Sequence, residues 1–223
     1  MYMKLVVLDG YTENPGDLDV EGMEALGDLT VYARTDHSQV KERMQDADAV
    51  IINKVPMTRE LMQESKQLRY IGVLATGYDV VDIEAARDLH IAVTNVPGYG
   101  TDTVAQYAIA LLLEVTSRIG HHGKTCKGGR MGKQCGLVFL GLSANGAVRQ
   151  NNGIIGFGRI GRKVAEIAQA LGMHVLFHDA HADNDTHAEK VSLEELLRRS
   201  DVVSLHCPLT KENDSLINKA TLL

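Results

Sequence analysis

Gly156, Gly158 and Gly161 form a G-x-G-x-x-G pattern where an apolar run beginning at Ile154 gives way to a helix-like stretch, Ile160 to Leu171. Placement at a strand-to-helix junction gives the three glycines separate tasks. The first makes a tight turn, the second lets backbone approach a pyrophosphate, and the third allows helix to pack closely on strand. The helix N-terminus then offers N–H donors to the anion, and the Arg159 cation suits the same charge. Asp179 follows Gly161 by 18 residues at the end of the next apolar run, near the spacing of about 20 for an acid that bonds ribose hydroxyls. A carboxylate there repels a 2′-phosphate, and Ala180 and His181 bring no arginine to offset it, so the pattern favours NAD over NADP. A plain flexible glycine loop and an S-adenosylmethionine site, which also uses a glycine turn and a downstream acid, are the competing readings.

The elements that must hold these residues alternate. Lys4 to Asp9, Leu29 to Tyr32, Ala49 to Asn53, Arg69 to Leu74 and Ile91 to Thr94 read as strands. Between them Ser38 to Asp46, Thr58 to Ser65 and Asp82 to Leu89 carry apolar residues at helical spacing. After a glycine-rich, basic stretch from Gly120 to Asn152, a second series begins. It has strands at Ile154 to Phe157, Val175 to Asp179 and Val202 to His206 and helices at Ile160 to Leu171 and Ser192 to Ser200. This βαβ rhythm predicts an α/β protein with two doubly wound parallel sheets, a flavodoxin-like one and a Rossmann one, with ligands at the carboxyl ends of the strands. The second is expected to be incomplete, since only about half of the six-strand order is present.

Thr103 to Arg118 separates the two series. Thr103 and Gln106 have capping-box spacing, which places a helix start at Thr103. Apolar residues surround this helix almost completely, so burial on most faces is expected, as for a helix between domains or at a subunit contact. The boundary falls near residue 100, giving domains 1–100 and 101–223.

Composition narrows the class. The 223 residues are 44% hydrophobic and 23% charged, enough for one large or two small cores. No apolar run approaches membrane-spanning length and no charged-then-apolar leader opens the chain, so a soluble, cytoplasmic protein is expected. Cys126, Cys135 and Cys207 form no C-x-x-C pair and are read as reduced thiols. The net charge of −6 conceals a window, Val115 to Ala165, with nine Lys and Arg and no acid. It lacks interleaved aromatic residues for base stacking, so a nucleic-acid partner is not expected.

Four segments together resemble the D-2-hydroxyacid dehydrogenases: Ala75-Thr-Gly-Tyr-Asp79 with Val80-Val-Asp82, Asn95-Val-Pro-Gly-Tyr-Gly100 running into Thr103-Val-Ala-Gln106, the glycine turn, and His206-Cys-Pro-Leu-Thr210. The Pro97-Gly-Tyr-Gly100 wording is similar to the glycerate dehydrogenase (hydroxypyruvate reductase) branch. The resemblance implies that backbone N–H groups of Ala75, Thr76 and Gly77 hold the carboxylate of a small 2-oxo or 2-hydroxy acid, with Thr76 also near the cofactor. A Thr-Gly turn at a sheet's carboxyl edge can form such an anion nest, though it can also be a simple βα turn. It further implies NAD contacts from Gly156, Gly158, Arg159, Ile160 and Gly161 at the pyrophosphate, Asp179 at the ribose, and Cys207, Pro208 and Val104 elsewhere on the cofactor.

In this family hydride passes between nicotinamide C4 and the substrate's 2-carbon, with a histidine as acid or base, a carboxylate partner and an arginine on the substrate. The arginine belongs to an Asn-Thr-x-Arg-Gly-like turn and the histidine to a Pro-His pair, and neither wording occurs in this sequence. Both are expected past Leu223, in a chain shortened at its C-terminus, so no residue is assigned as catalytic and little turnover is expected. A non-catalytic dinucleotide-binding or interaction module is the alternative. His178, His181, His187, Arg198 and Arg199 match no family motif and are read as solvated surface groups, without a metal site. Met131 to Asn152 keeps the family's length but not its wording, as two compensating frameshifts would produce. Gly136 to Ser143 reads as an apolar patch there, and a family-like homodimer, which this segment would support, is in doubt.

Overall fold

The computed structural model describes residues 2–14, 16, 19, 21–127, 146–183, 185, 188–210 and 213–221. The expectations for Cys135, His187 and the Gly136 to Ser143 patch lie outside them. The chain divides into two compact units, Met1–Tyr99 and Gly100–Leu223.

The first unit is a five-stranded parallel sheet of β1 (Met3–Val7), β2 (Gly27–Val31), β3 (Ala49–Ile52), β4 (Tyr70–Val73) and β5 (Ala92–Asn95), in the order β2-β1-β3-β4-β5. That is the flavodoxin-like order, with its reversal between β1 and β3. The crossovers carry α1 (Gly10–Glu13) and α2 (Glu21–Glu24), then α3 (Val40–Met44) behind a 3-10 turn at His37–Gln39, α4 (Arg59–Glu64) and α5 (Ile83–Asp88). Val6, Leu8, Val50, Ile52, Ile71 and Val73 pack against Val40, Met44, Met62, Ala85 and Ala86 in one core. Continuous apolar wording in the central strands reflects burial on both faces. Thr58 and Asp82 cap their helices, accepting from Leu61 N–H at 3.4 Å and Ala85 N–H at 2.8 Å.

The second unit opens with α6 (Thr101–Ser117) and α7 (Ile119–Lys127). Its sheet comprises β6 (Asn151–Ile155), β7 (His174–His178), β8 (Glu189–Lys190) and β9 (Val202–Leu205), with α8 (Arg159–Ala170) and α9 (Leu193–Arg199) between them. The order β8-β7-β6-β9 is all parallel and matches 3-2-1-4 of the dinucleotide fold. Ile154, Phe157, Val164, Ala168, Val175 and Phe177 form its core with Ala105, Ile109 and Leu112 of α6.

Two expectations for α6 are corrected. Its N-cap is Gly100, not Thr103: Val104 N–H already donates to Gly100 C=O at 2.9 Å, so the first turn closes before Thr103 can cap it. Burial follows one face, Ala105, Ile109, Leu112 and Thr116, whereas Tyr107, Leu111 and Val115 are exposed. The helical repeat turns the second apolar set away from the core. α7 runs into the glycine-rich, basic stretch that begins at Gly120, and the Glu114 carboxylate accepts from Gly120 N–H in its first turn at 3.0 Å. Nor are all the surface cations and histidines simply solvated. Arg199 pairs with Glu189 and Glu195 at 2.7 and 2.9 Å, and His178 Nδ1 lies 3.2 Å from Val191 C=O.

Candidate functional site

In the second unit the carboxyl ends of β6, β7 and β9 converge on the glycine turn. Gly156 N–H donates to His178 C=O at 2.9 Å, and His206 N–H to Ile155 C=O at 2.7 Å. Gly156 has φ of +92°, and a Cβ on it would lie 2.4 Å from Cys207 N, so both conformation and space demand glycine. At Gly161 a Cβ would meet Gly156 O at 2.2 Å, which fixes how closely α8 lies against β6. Gly158 differs, because a Cβ there would meet nothing within 4 Å. Its bare backbone is exposed and leaves open a cradle of the kind a pyrophosphate fills.

Arg162 N–H is bonded to Gly158 C=O at 3.0 Å, so the N–H groups of Arg159, Ile160 and Gly161 precede the first turn's closure. They are the donors that a helix of this length presents to an anion. Arg159 is exposed and Ile160 half-buried at this end. Phe157, stacked on Phe177 with centroids 3.9 Å apart, carries the Arg162 guanidinium 4.7 Å above its ring, and Arg162 also pairs with Asp185.

Asp179 stands at the end of β7, facing the turn. One carboxylate oxygen accepts from Phe157 N–H at 2.7 Å, and the other from His181 and Ala182 N–H at 2.8 Å each. Burial by itself would raise its pKa, but the N–H groups of His181, Phe157 and Ala182 outweigh it and hold the carboxyl below its usual range. Asp179 is therefore an anion at neutral pH. Cys207 is a free thiol beside Gly156, 3.7 Å from Asn213 Nδ2, and Pro208 C=O accepts from that same amide at 2.7 Å. The fold thus gathers Gly156, Gly158, Gly161, Arg159, Ile160, Asp179 and Cys207 at one sheet edge. Val104 lies instead on α6, 44% exposed. The arrangement fits a dinucleotide, with donors and an open cradle for phosphate and an acid beside it.

In the first unit Ala75, Thr76 and Gly77 leave the carboxyl end of β4. Ala75 is buried, while Thr76 and Gly77 are exposed. Their N–H groups have no acceptor among the described residues. Two groups at this edge escaped the sequence reading. Asp9, 6% exposed at the β1/β3 reversal, accepts from Lys54 N–H at 2.8 Å and Asn53 N–H at 3.0 Å and so pins the loop after β3. Asn95 donates to Thr76 C=O at 2.8 Å. The acid at the end of a first strand was a visible signal for Asp9; nothing local marked Asn95. Among the described residues no cluster of three or more His, Cys, Asp or Glu could hold a metal ion, and no helix is long and apolar enough to cross a membrane.

These features define a two-unit α/β protein with a dinucleotide-binding sheet. Comparison with known proteins makes the class specific. Residues 109–223 match the D-isomer specific 2-hydroxyacid dehydrogenase, NAD binding domain. A hydroxypyruvate reductase of Blautia hydrogenotrophica is 46% identical over 226 residues, which cover 99% of this chain and 70% of the relative. Among solved structures, an acyclic imino acid reductase in complex with NADPH and D-Arg superposes with a TM-score of 0.85 at 27% identity, covering 99% of this chain and 70% of the other. D-lactate dehydrogenase from Aquifex aeolicus, complexed with NAD and lactic acid, gives 0.78 at 29%, covering 98% and 64%. The chain belongs to the D-2-hydroxyacid dehydrogenase family, NAD-dependent oxidoreductases acting on 2-hydroxy acids.

Proposed function

We propose that the chain carries the substrate and NAD(H) sites of a hydroxypyruvate reductase, interconverting hydroxypyruvate and D-glycerate, and that these 223 residues alone bind both ligands with little turnover. The observation that carries the binding half is the open glycine cradle at Gly158, next to Phe157, whose N–H the Asp179 carboxylate accepts. Residues 1–100 serve as the substrate domain and 101–223 as the cofactor domain. NAD(H), when bound, supplies or accepts the hydride. The chain's own part is to hold pyrophosphate on the N–H groups of Arg159, Ile160 and Gly161, ribose on Asp179, and the substrate carboxylate on the N–H groups of Ala75, Thr76 and Gly77. Cys207, Pro208 and Val104 complete the cofactor's surroundings.

The similarity to the Blautia reductase supports the choice of substrate. Low turnover follows from chemistry: the sequence contains neither an Asn-Thr-x-Arg-Gly-like turn nor a Pro-His pair, and loss of a positioned acid or base costs about 10² to 10⁴-fold. The test is oxidation of NADH by hydroxypyruvate, followed by absorbance, with a preparation whose mass corresponds to the 223 residues. A rate at background together with saturable NADH binding is expected. Rapid NADH oxidation would overturn the low-turnover reading, and rapid oxidation with D-lactate's ketone but not hydroxypyruvate would overturn the substrate.

A further inference from the structure

The loop that reads as the carboxylate site is tied at Thr76 to a side chain nineteen residues away, Asn95. Val73 and Asn95 are the last register pair of β4 and β5. Beyond them the two segments stay tied. Val96 N–H donates to Ala75 C=O at 3.1 Å, Thr76 Oγ1 donates to Val96 C=O at 3.2 Å, and Asn95 Nδ2 donates to Thr76 C=O at 2.8 Å. We infer that Asn95 is a positioning residue for substrate: by holding the Thr76 carbonyl toward β5, its amide turns the Gly77 N–H toward the open edge where a carboxylate binds. This rests on the proposed reading of Ala75–Gly77 as the carboxylate loop.

Stereochemistry carries the step. In a planar trans peptide the C=O and the following N–H point in opposite directions, and no cis peptide bond occurs among the described residues. Fixing Thr76 C=O therefore fixes Gly77 N–H. Gly77 has no side chain to resist rotation of that plane, so the external bond is what selects its orientation. A rotated plane would present the Thr76 carbonyl to an anion in place of a donor, replacing attraction by repulsion. The Thr76 and Gly77 N–H groups, without acceptors among the described residues, are left available in the observed orientation.

The experiment titrates oxamate, a 2-oxo-acid analogue, into the ¹⁵N-labelled chain saturated with NADH, and reads the Thr76 and Gly77 amide shifts. In the unsubstituted chain both amides are expected to move downfield and saturate. Asn95→Ala and the near-isosteric, uncharged Asn95→Leu should weaken oxamate about tenfold, the scale of one lost orienting hydrogen bond. NADH affinity should stay unchanged in both variants. A merely structural role would lower the melting temperature without moving the oxamate affinity. Should Asn95→Ala fail to fold, Asn95→Leu decides alone. Equal oxamate affinity in a folded variant and the parent overturns the role of Asn95; absence of any Gly77 shift in the parent overturns the reading of the loop.

Discussion

The Asp179 carboxylate accepts the N–H of Phe157 at 2.7 Å, joining the end of β7 to the centre of the glycine turn across 22 residues of sequence. Its other oxygen organises the loop that follows, through His181 and Ala182. The acid proposed to hold a ribose thus also keeps the turn in shape.

Asp179→Asn separates these tasks. An amide has one accepting oxygen, so either Phe157 or the His181–Ala182 loop loses its acceptor, and the charge that disfavours a 2′-phosphate disappears. NADH affinity should fall by roughly tenfold, about 1.4 kcal/mol, with a smaller fall for NADPH. Fluorescence titrations of both nucleotides check this; an unchanged ratio would remove Asp179 from cofactor choice.

Acid should weaken the second unit in two stages. Burial pushes His206 below its usual pKa, so it favours the neutral ring, and the stability tied to that ring is present above about pH 6.5 and lost as pH falls through the lowered value. Asp179 is also depressed, so its contribution is present above about pH 3.9 and lost only as pH falls through its own folded value. Thermal melts across pH should show both declines, and His206→Gln should remove the first alone.

The glycines should fail differently. Gly161→Ala drives a Cβ to 2.2 Å from Gly156 O, and should destabilise the second unit by about 3 kcal/mol. Gly158→Ala enters open space, and should leave the melting temperature unchanged while lowering NADH affinity at least roughly tenfold. Paired melting and binding curves distinguish the two.

Asn152 is 1% exposed on β6, and among the described residues neither its amide oxygen nor its amide nitrogen has a hydrogen-bond partner. It closes the stretch whose wording departs from the family. Replacing an unsatisfied buried amide by an apolar group of similar size should stabilise the unit by about 1–3 kcal/mol. Asn152→Leu is expected to raise the denaturation midpoint in urea without changing its slope; a lowered midpoint would mean the amide has a role that burial conceals.

Both sheets were legible from the rhythm of apolar runs except β8, whose Glu189 and Lys190 carry no apolar signal, and the caps at Thr58, Asp82 and Ser192 stand where the helical spacing begins. These signals are local, because a cap and its first turn lie within a few residues. Thr103 misled for the same reason: its capping-box spacing is genuine in sequence, but Gly100 starts the helix earlier. The exposed side of α6, with Tyr107, Leu111 and Val115, could not be told from its buried side, since apolar residues mark both. At the candidate site the glycines and Asp179 announce themselves by spacing. The bond from Asn95 to Thr76 depends on the register of β4 and β5, which no neighbouring residue encodes.

The most direct test is calorimetric titration of NADH into the 223-residue chain and into its Gly158→Ala variant. One saturable site in the parent, lost or greatly weakened in a variant that melts at the same temperature, is the predicted result. No saturable binding in the parent, or binding that Gly158→Ala leaves untouched, would contradict a dinucleotide site at this turn.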